Sequence, residues 1–127
     1  MDYRHFSDEK GSNFSKLSGD IQRAIETQAN IDLQAYKLSK HYGHVIKDEE
    51  TEDGLFRMLC KEYAEKSEKE LKKLVIMESR ALYFYPLTKD RFEYYERKAR
   101  ERAETMDINI NKEMYSSFVA CNKNNGR

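Results

Sequence analysis

The stretch IETQANIDLQAY, residues 25–36, contains the pattern on which the fold prediction depends. Apolar residues here and beside it recur every three or four positions, which places them on one face of an α-helix. Ser18 stands where an N-cap would begin this first helix. The helix face consists of Leu17, Ile21, Ile25, Gln28, Asp32, Ala35, Leu38 and Tyr42. A carboxylate, that of Asp32, therefore lies within an otherwise largely apolar face.

Two further helices are predicted downstream. The second covers about residues 52–79, and its face opposite the apolar stripe alternates Lys and Glu, as solvated helix surfaces do. The third covers about residues 91–119, with apolar residues again at helical spacing. Between them the aromatic segment ALYFYPLTKD, residues 81–90, is predicted to be a long crossover.

This order of elements predicts an all-α fold, a bundle reduced to three long helices. A short turn makes the first two helices antiparallel, and a long crossover makes the second and third parallel. We expect a flexible arm over residues 1–15, one helical domain over residues 16–121 and a polar tail over residues 122–127.

Composition narrows the classes of function. The chain has 127 residues, which suits one domain, and its 23 basic and 23 acidic residues give no net charge that would favour nucleic acid or a membrane surface. No apolar run approaches the roughly 20 residues of a membrane span, and the first residues lack the apolar core of a signal peptide. We therefore expect a cytoplasmic protein in which Cys60 and Cys121 are thiols.

Two segments resemble the ferritin family. Residues 25–36 are similar to the opening of the first ferritin helix, and FRMLCKEYAEKSEKELKKLV, residues 56–75, is similar to the second, with Phe56, Lys61, Glu62, Lys73 and Leu74 in register. Asn13 and Phe14 are similar to the aromatic end of the ferritin arm. The resemblance implies a ferritin-like bundle and a role in iron storage within a shell of subunits.

The resemblance also implies positions for the carboxylate di-iron centre that oxidises Fe(II) in ferritins. The ligand of the first helix falls on Asp32, the Glu and His of the second on Ser67 and Glu70, and the Glu of the third on Glu104. The fourth helix has no counterpart. We therefore predict no complete oxidase centre and no catalytic residue, with Asp32, Glu70 and Glu104 as a remnant site where iron is the conceivable metal.

Several readings stay open at this point. Asp32 is either a remnant ligand or a buried carboxylate bonded to Tyr63, Ser67 or a water, since buried carboxylates need partners but no metal. His41 and His44 have a spacing that metal ligands use, but no third ligand accompanies them, which favours surface histidines. Cys60 is expected to be a core thiol.

Two functions from different classes follow. The first is a storage or shell subunit that forms a homodimer or co-assembles with longer ferritin subunits. The second is a non-enzymatic interaction or structural protein, acting through a homodimer or through a partner helix. That helix would occupy an apolar groove left by the missing fourth helix.

Overall fold

The computed structural model describes the backbone of residues 11–125 and the side chains of residues 11–112. Their regular secondary structure is entirely helical, with no strand, which confirms the all-α part of the predicted fold class. No helix within them is both long and apolar enough to cross a bilayer. The elements are α1 (Ser12–Lys16), α2 (Gly19–Leu38), a 3-10 helix (Gly43–Val45), α3 (Glu49–Ala64), α4 (Glu68–Phe84) and α5 (Thr88–Asn125).

Helix α2 lies at the centre of the bundle and contacts α3, α4 and α5. Ser18 caps it as predicted, its hydroxyl accepting from the backbone N–H of Ile21 at 3.4 Å. Small residues such as Ala24, Ala29 and Ala35 are buried along α2, so neighbouring helices approach it closely. The main hydrophobic cluster consists of Phe14, Ile25, Ala29, Leu33, Leu59, Cys60, Ala64 and Leu71.

The second predicted helix is in fact two helices. It breaks after Ala64, and α4 begins anew at Glu68 with Ser67 as its N-cap. The Ser67 hydroxyl accepts from the backbone N–H of Glu70 at 3.3 Å. Ser67 and Glu70 have the Ser-x-x-Glu spacing of a capping box, a helix-start signal that outweighs the continuing Lys/Glu pattern.

The predicted long crossover over residues 81–90 is wrong. Helix α4 continues to Phe84 and α5 begins at Thr88, so three residues connect them. Tyr85, which precedes Pro86, leaves the helical region with φ −127° and ψ 70°, because the proline ring disfavours a helical conformation in the residue before it. Tyr83 and Phe84 belong to the last turn of α4.

The helix directions follow from side-chain pairs. Lys37 pairs with Glu52 at 2.7 Å, and Asp32, one turn earlier on α2, bonds to Tyr63, so α2 and α3 are antiparallel. Asp32 pairs with Arg102 and Ser39 bonds to Asp107, so α2 and α5 run in the same direction. Helix α5 is therefore antiparallel to α3, whereas the sequence predicted the second and third helices to be parallel.

The two predicted ends also differ from expectation. Residues 12–15 of the predicted arm belong to α1, where Phe14 is 7% exposed and packs in the core. Residues 1–10 lie outside the described part of the chain. Helix α5 continues to Asn125, beyond the predicted end near residue 119.

Candidate functional site

Asp32, the candidate ligand of the first predicted helix, lies in the interior with 1% of its side chain exposed. Gln28, one turn earlier on α2, donates from Nε2 to Oδ1 at 3.0 Å. Tyr63 of α3 donates its hydroxyl to Oδ2. Arg102 of α5 places Nε 2.6 Å from Oδ1 in an ion pair. We call these four residues the Asp32 network.

Both carboxylate oxygens of Asp32 therefore have protein partners, and a guanidinium compensates its charge. A buried carboxylate is tolerated in a helix bundle on these terms, because unpaired it would cost several kcal/mol of desolvation. The partners come from three helices, so the network joins α2, α3 and α5. It confirms the reading of Asp32 as a buried polar group bonded to Tyr63, while Ser67 is an exposed cap elsewhere.

The electrostatics keep the phenol of Tyr63 in its donor form. Burial raises the pKa of Tyr63, and the hydrogen bond to Asp32 and the charge of Asp32 raise it further, against the opposing effect of Arg102. Burial also raises the pKa of the neighbouring Tyr36 hydroxyl. The Tyr63 hydroxyl therefore stays protonated throughout the physiological pH range and donates a hydrogen bond to Asp32.

The structure does not bring the other two predicted ligands together with Asp32. Glu70 is exposed in the first turn of α4, and Glu104 is exposed on α5. Among residues 11–112, no group of three or more His, Cys, Asp or Glu side chains is placed to hold a metal ion. A metal site built from Asp32, Glu70 and Glu104 stays a prediction, and it would require the ion pair between Asp32 and Arg102 to open.

The histidines and the cysteine that the structure describes lie apart from the Asp32 network. His41 lies in the turn after α2, and His44 is exposed in the 3-10 helix. Cys60 is a fully buried thiol of the hydrophobic cluster, as expected. The side chain of Cys121 lies outside the described residues.

Arg102 is the member of the Asp32 network that the sequence did not reveal. It stands three residues after Ala99 and one before Ala103, both buried on the inner face of α5. A cation beside two small inward-facing residues is a usable signal, because its guanidinium can reach over them into the interior. Its partner is 70 positions away in the sequence, and helical spacing within α5 gives no indication of that distance.

A second polar contact joins the end of α2 to α5. Ser39, 3% exposed, donates its hydroxyl to Asp107 Oδ1 at 2.6 Å, and the backbone N–H of Lys40 donates to Asp107 Oδ2 at 3.0 Å. These hydrogen bonds hold the pKa of Asp107 below its ordinary value, the Ser39 hydroxyl contributing most. We call this contact the Ser39 latch.

A broad concave surface lies on the other side of α2, between α3 and the start of α5. This groove of about 1410 Å³ has apolar side chains from all three helices: Ile31, Leu33, Phe56, Phe92 and Tyr95. Six of its sixteen lining residues are acidic and one, Arg91, is basic. The acidic residues are Glu26, Glu49, Glu50, Glu52, Asp53 and Glu96. We call it the acidic groove.

Comparison of the chain with protein-family models, curated proteins and solved structures gave no match. The ferritin resemblance of residues 25–36 and 56–75 therefore stays a prediction. The arrangement of the side chains is the basis for a functional proposal.

Proposed function

We propose that the protein is a non-enzymatic helical docking module, in which the bundle presents a surface groove to a partner helix. The observation that carries this proposal is the contrast across α2. On one side Asp32 is enclosed by Arg102, Tyr63 and Gln28, and on the other the acidic groove stays open. A carboxylate saturated by donors supports a structural role for the interior.

Exposed apolar side chains add support for a binding role. Phe92, on the wall of the groove, is 69% exposed, and Leu87, just before α5, is 66% exposed. Tyr83 and Phe84 at the end of α4 are 79% and 67% exposed. Contiguous exposed apolar surface marks interaction sites, and Phe92 contributes such surface to the groove, whereas Tyr83, Phe84 and Leu87 lie at the connection between α4 and α5, outside it.

The storage reading remains the competing proposal because it follows from the ferritin resemblance. In that reading the protein forms a homodimer or enters a cage with longer ferritin subunits, and the buried carboxylate of Asp32 contributes to iron retention. A remnant iron site in such a subunit would require iron to displace Arg102 from Asp32 and recruit Glu70 or Glu104, both of which face solvent, whereas a shell role alone requires neither change. The docking proposal needs no such rearrangement.

The test is solution mass by light scattering on a sizing column, with iron determined on the same peak. The docking proposal predicts a small species without stoichiometric iron. A second measurement compares thermal unfolding with and without Fe(II) under anaerobic conditions, since a ligand that binds the folded state raises Tm. A large iron-loaded assembly, or a clear rise in Tm with Fe(II), would sink the docking proposal.

A further inference from the structure

We infer that the acidic groove binds a basic amphipathic α-helix of a partner protein. This inference rests on the proposed docking function and adds the chemistry of the partner. It draws on the shape of the groove and on its charge.

The shape of the groove suits a helix. Three helices supply its walls and floor, with Ile31 and Leu33 from α2, Phe56 from α3, and Phe92 and Tyr95 from α5. An amphipathic helix places apolar residues at positions i, i+3, i+4 and i+7, and it binds by laying that stripe into an apolar groove. Phe92 gains most from such a contact because two thirds of its side chain is exposed.

The charge of the groove selects a basic partner. Glu49 and Glu50 form no ion pair within residues 11–112, whereas Glu52 pairs with Lys37 and Asp53 with Arg57. The chain as a whole carries no net charge, so the excess of carboxylates is a local property of this surface. Lysines and arginines on both flanks of a bound helix complement it, while acidic segments and anionic membranes are repelled.

The experiment measures binding of a labelled synthetic peptide to the full chain by fluorescence anisotropy. The probe is a helix with leucines along one face and lysines and arginines on both flanks. One control peptide keeps the composition but scrambles the leucine stripe, and another replaces every basic residue with glutamate. We expect only the first peptide to bind, and we expect raised salt to weaken its binding because the charges are at the surface.

Two matched double variants locate the site. Glu49→Gln with Glu50→Gln removes two first-turn carboxylates of α3 inside the groove, and we expect roughly fivefold weaker binding. Glu68→Gln with Glu70→Gln removes two first-turn carboxylates of α4, which do not line the groove, and should leave affinity unchanged. Both variants lose similar favourable interactions with a helix N-terminus, so the difference reports on the groove.

Four outcomes of these experiments would overturn the inference. Equal binding of the glutamate peptide, equal loss in both double variants, or no binding of the basic peptide overturns the inference. A dimer in light scattering that Glu49→Gln with Glu50→Gln dissociates also overturns it, because a second copy would then be the occupant. Iron content measured on the same preparation tests the docking proposal separately. If the protein is small and free of iron but does not bind the basic peptide, only the inferred chemistry of the partner is wrong.

Discussion

The two sides of helix α2 differ in how their polar side chains are paired. On one side, Gln28 and Asp32 meet Tyr63 and Arg102, and every polar atom of the carboxylate has a partner inside the protein. On the other side, Asn30 and Gln34 line a groove whose carboxylates outnumber its cations. Residues 30 and 32 are about 200° apart around the helix, which separates the two environments.

This difference indicates which side is structural and which is available for binding. A saturated buried network contributes to stability and offers little to a ligand, since any incoming group must displace an existing partner. An open groove with exposed Phe92, and with Glu49 in no ion pair within residues 11–112, contributes little to stability and gains from being covered. Substitutions on the two sides should therefore separate stability from binding.

Removing the centre of the network should have the largest effect. Asp32→Ala deprives Tyr63, Gln28 and Arg102 of their common acceptor, and we expect a loss of about 2–4 kcal/mol in the free energy of unfolding. Urea denaturation followed by circular dichroism measures it. Glu104→Ala, which removes an exposed carboxylate, is the control. If Asp32→Ala instead keeps full stability while lowering iron retention, Asp32 is a metal ligand and the comparison between the two sides fails.

Removing the cation alone should cost less. Arg102→Gln leaves the Asp32 carboxylate buried, but Arg102 is 44% exposed and water can reach its place, so we expect a loss of about 1–3 kcal/mol. Combining it with Asp32→Asn in a double-mutant cycle isolates the pair, and we expect the two losses to be non-additive. Strict additivity would mean that Arg102 and Asp32 are neighbours without energetic coupling.

The Ser39 latch predicts a pH dependence of smaller size. The folded pKa of Asp107 is below its ordinary value of 3.8, so the stabilisation is present above that value and is lost as the pH falls through the folded pKa. Ser39→Ala removes the hydroxyl that lowers this pKa most, and its loss of unfolding free energy at neutral pH should be smaller than that of Arg102→Gln. The variant should also lose less stability than the wild type on acidification below about pH 4. Parallel curves for the two proteins would contradict the latch.

Much of the interior could be predicted from the sequence, because local periodicity determines it. The all-α class, the cap at Ser18 and the burial of Asp32 all follow from residue spacing within single helices, and Tyr63 is one of the three partners that the sequence leaves open for Asp32. The contact with Arg102 could not be predicted in this way. It depends on the direction of α5, which in turn depends on the length of the connection at Pro86.

Two local sequence signals mark helix ends that the longer patterns do not show: the capping spacing of Ser67 and Glu70, and Pro86. Ser67 and Glu70 have the spacing of a helix start, but the alternating Lys and Glu residues around them suggested one unbroken helix. The aromatic residues before Pro86 suggested a crossover, although the three-residue connection reverses the chain. The apolar groove predicted at the place of a fourth helix stays a prediction, and the acidic groove takes four of its six carboxylates from residues 49–53 at a helix start.

The smallest effect on stability is expected in the groove, and it sharpens the comparison most. Phe92→Ser removes an aromatic ring that is 69% exposed, so the free energy of unfolding should change by no more than about 0.5 kcal/mol. The same substitution should weaken binding of the basic helical peptide by about tenfold, because the ring would be a central apolar contact in the groove. Urea denaturation and peptide anisotropy on one preparation give both values. A large loss of stability would make Phe92 part of the fold, whereas unchanged binding would place the partner elsewhere on the surface.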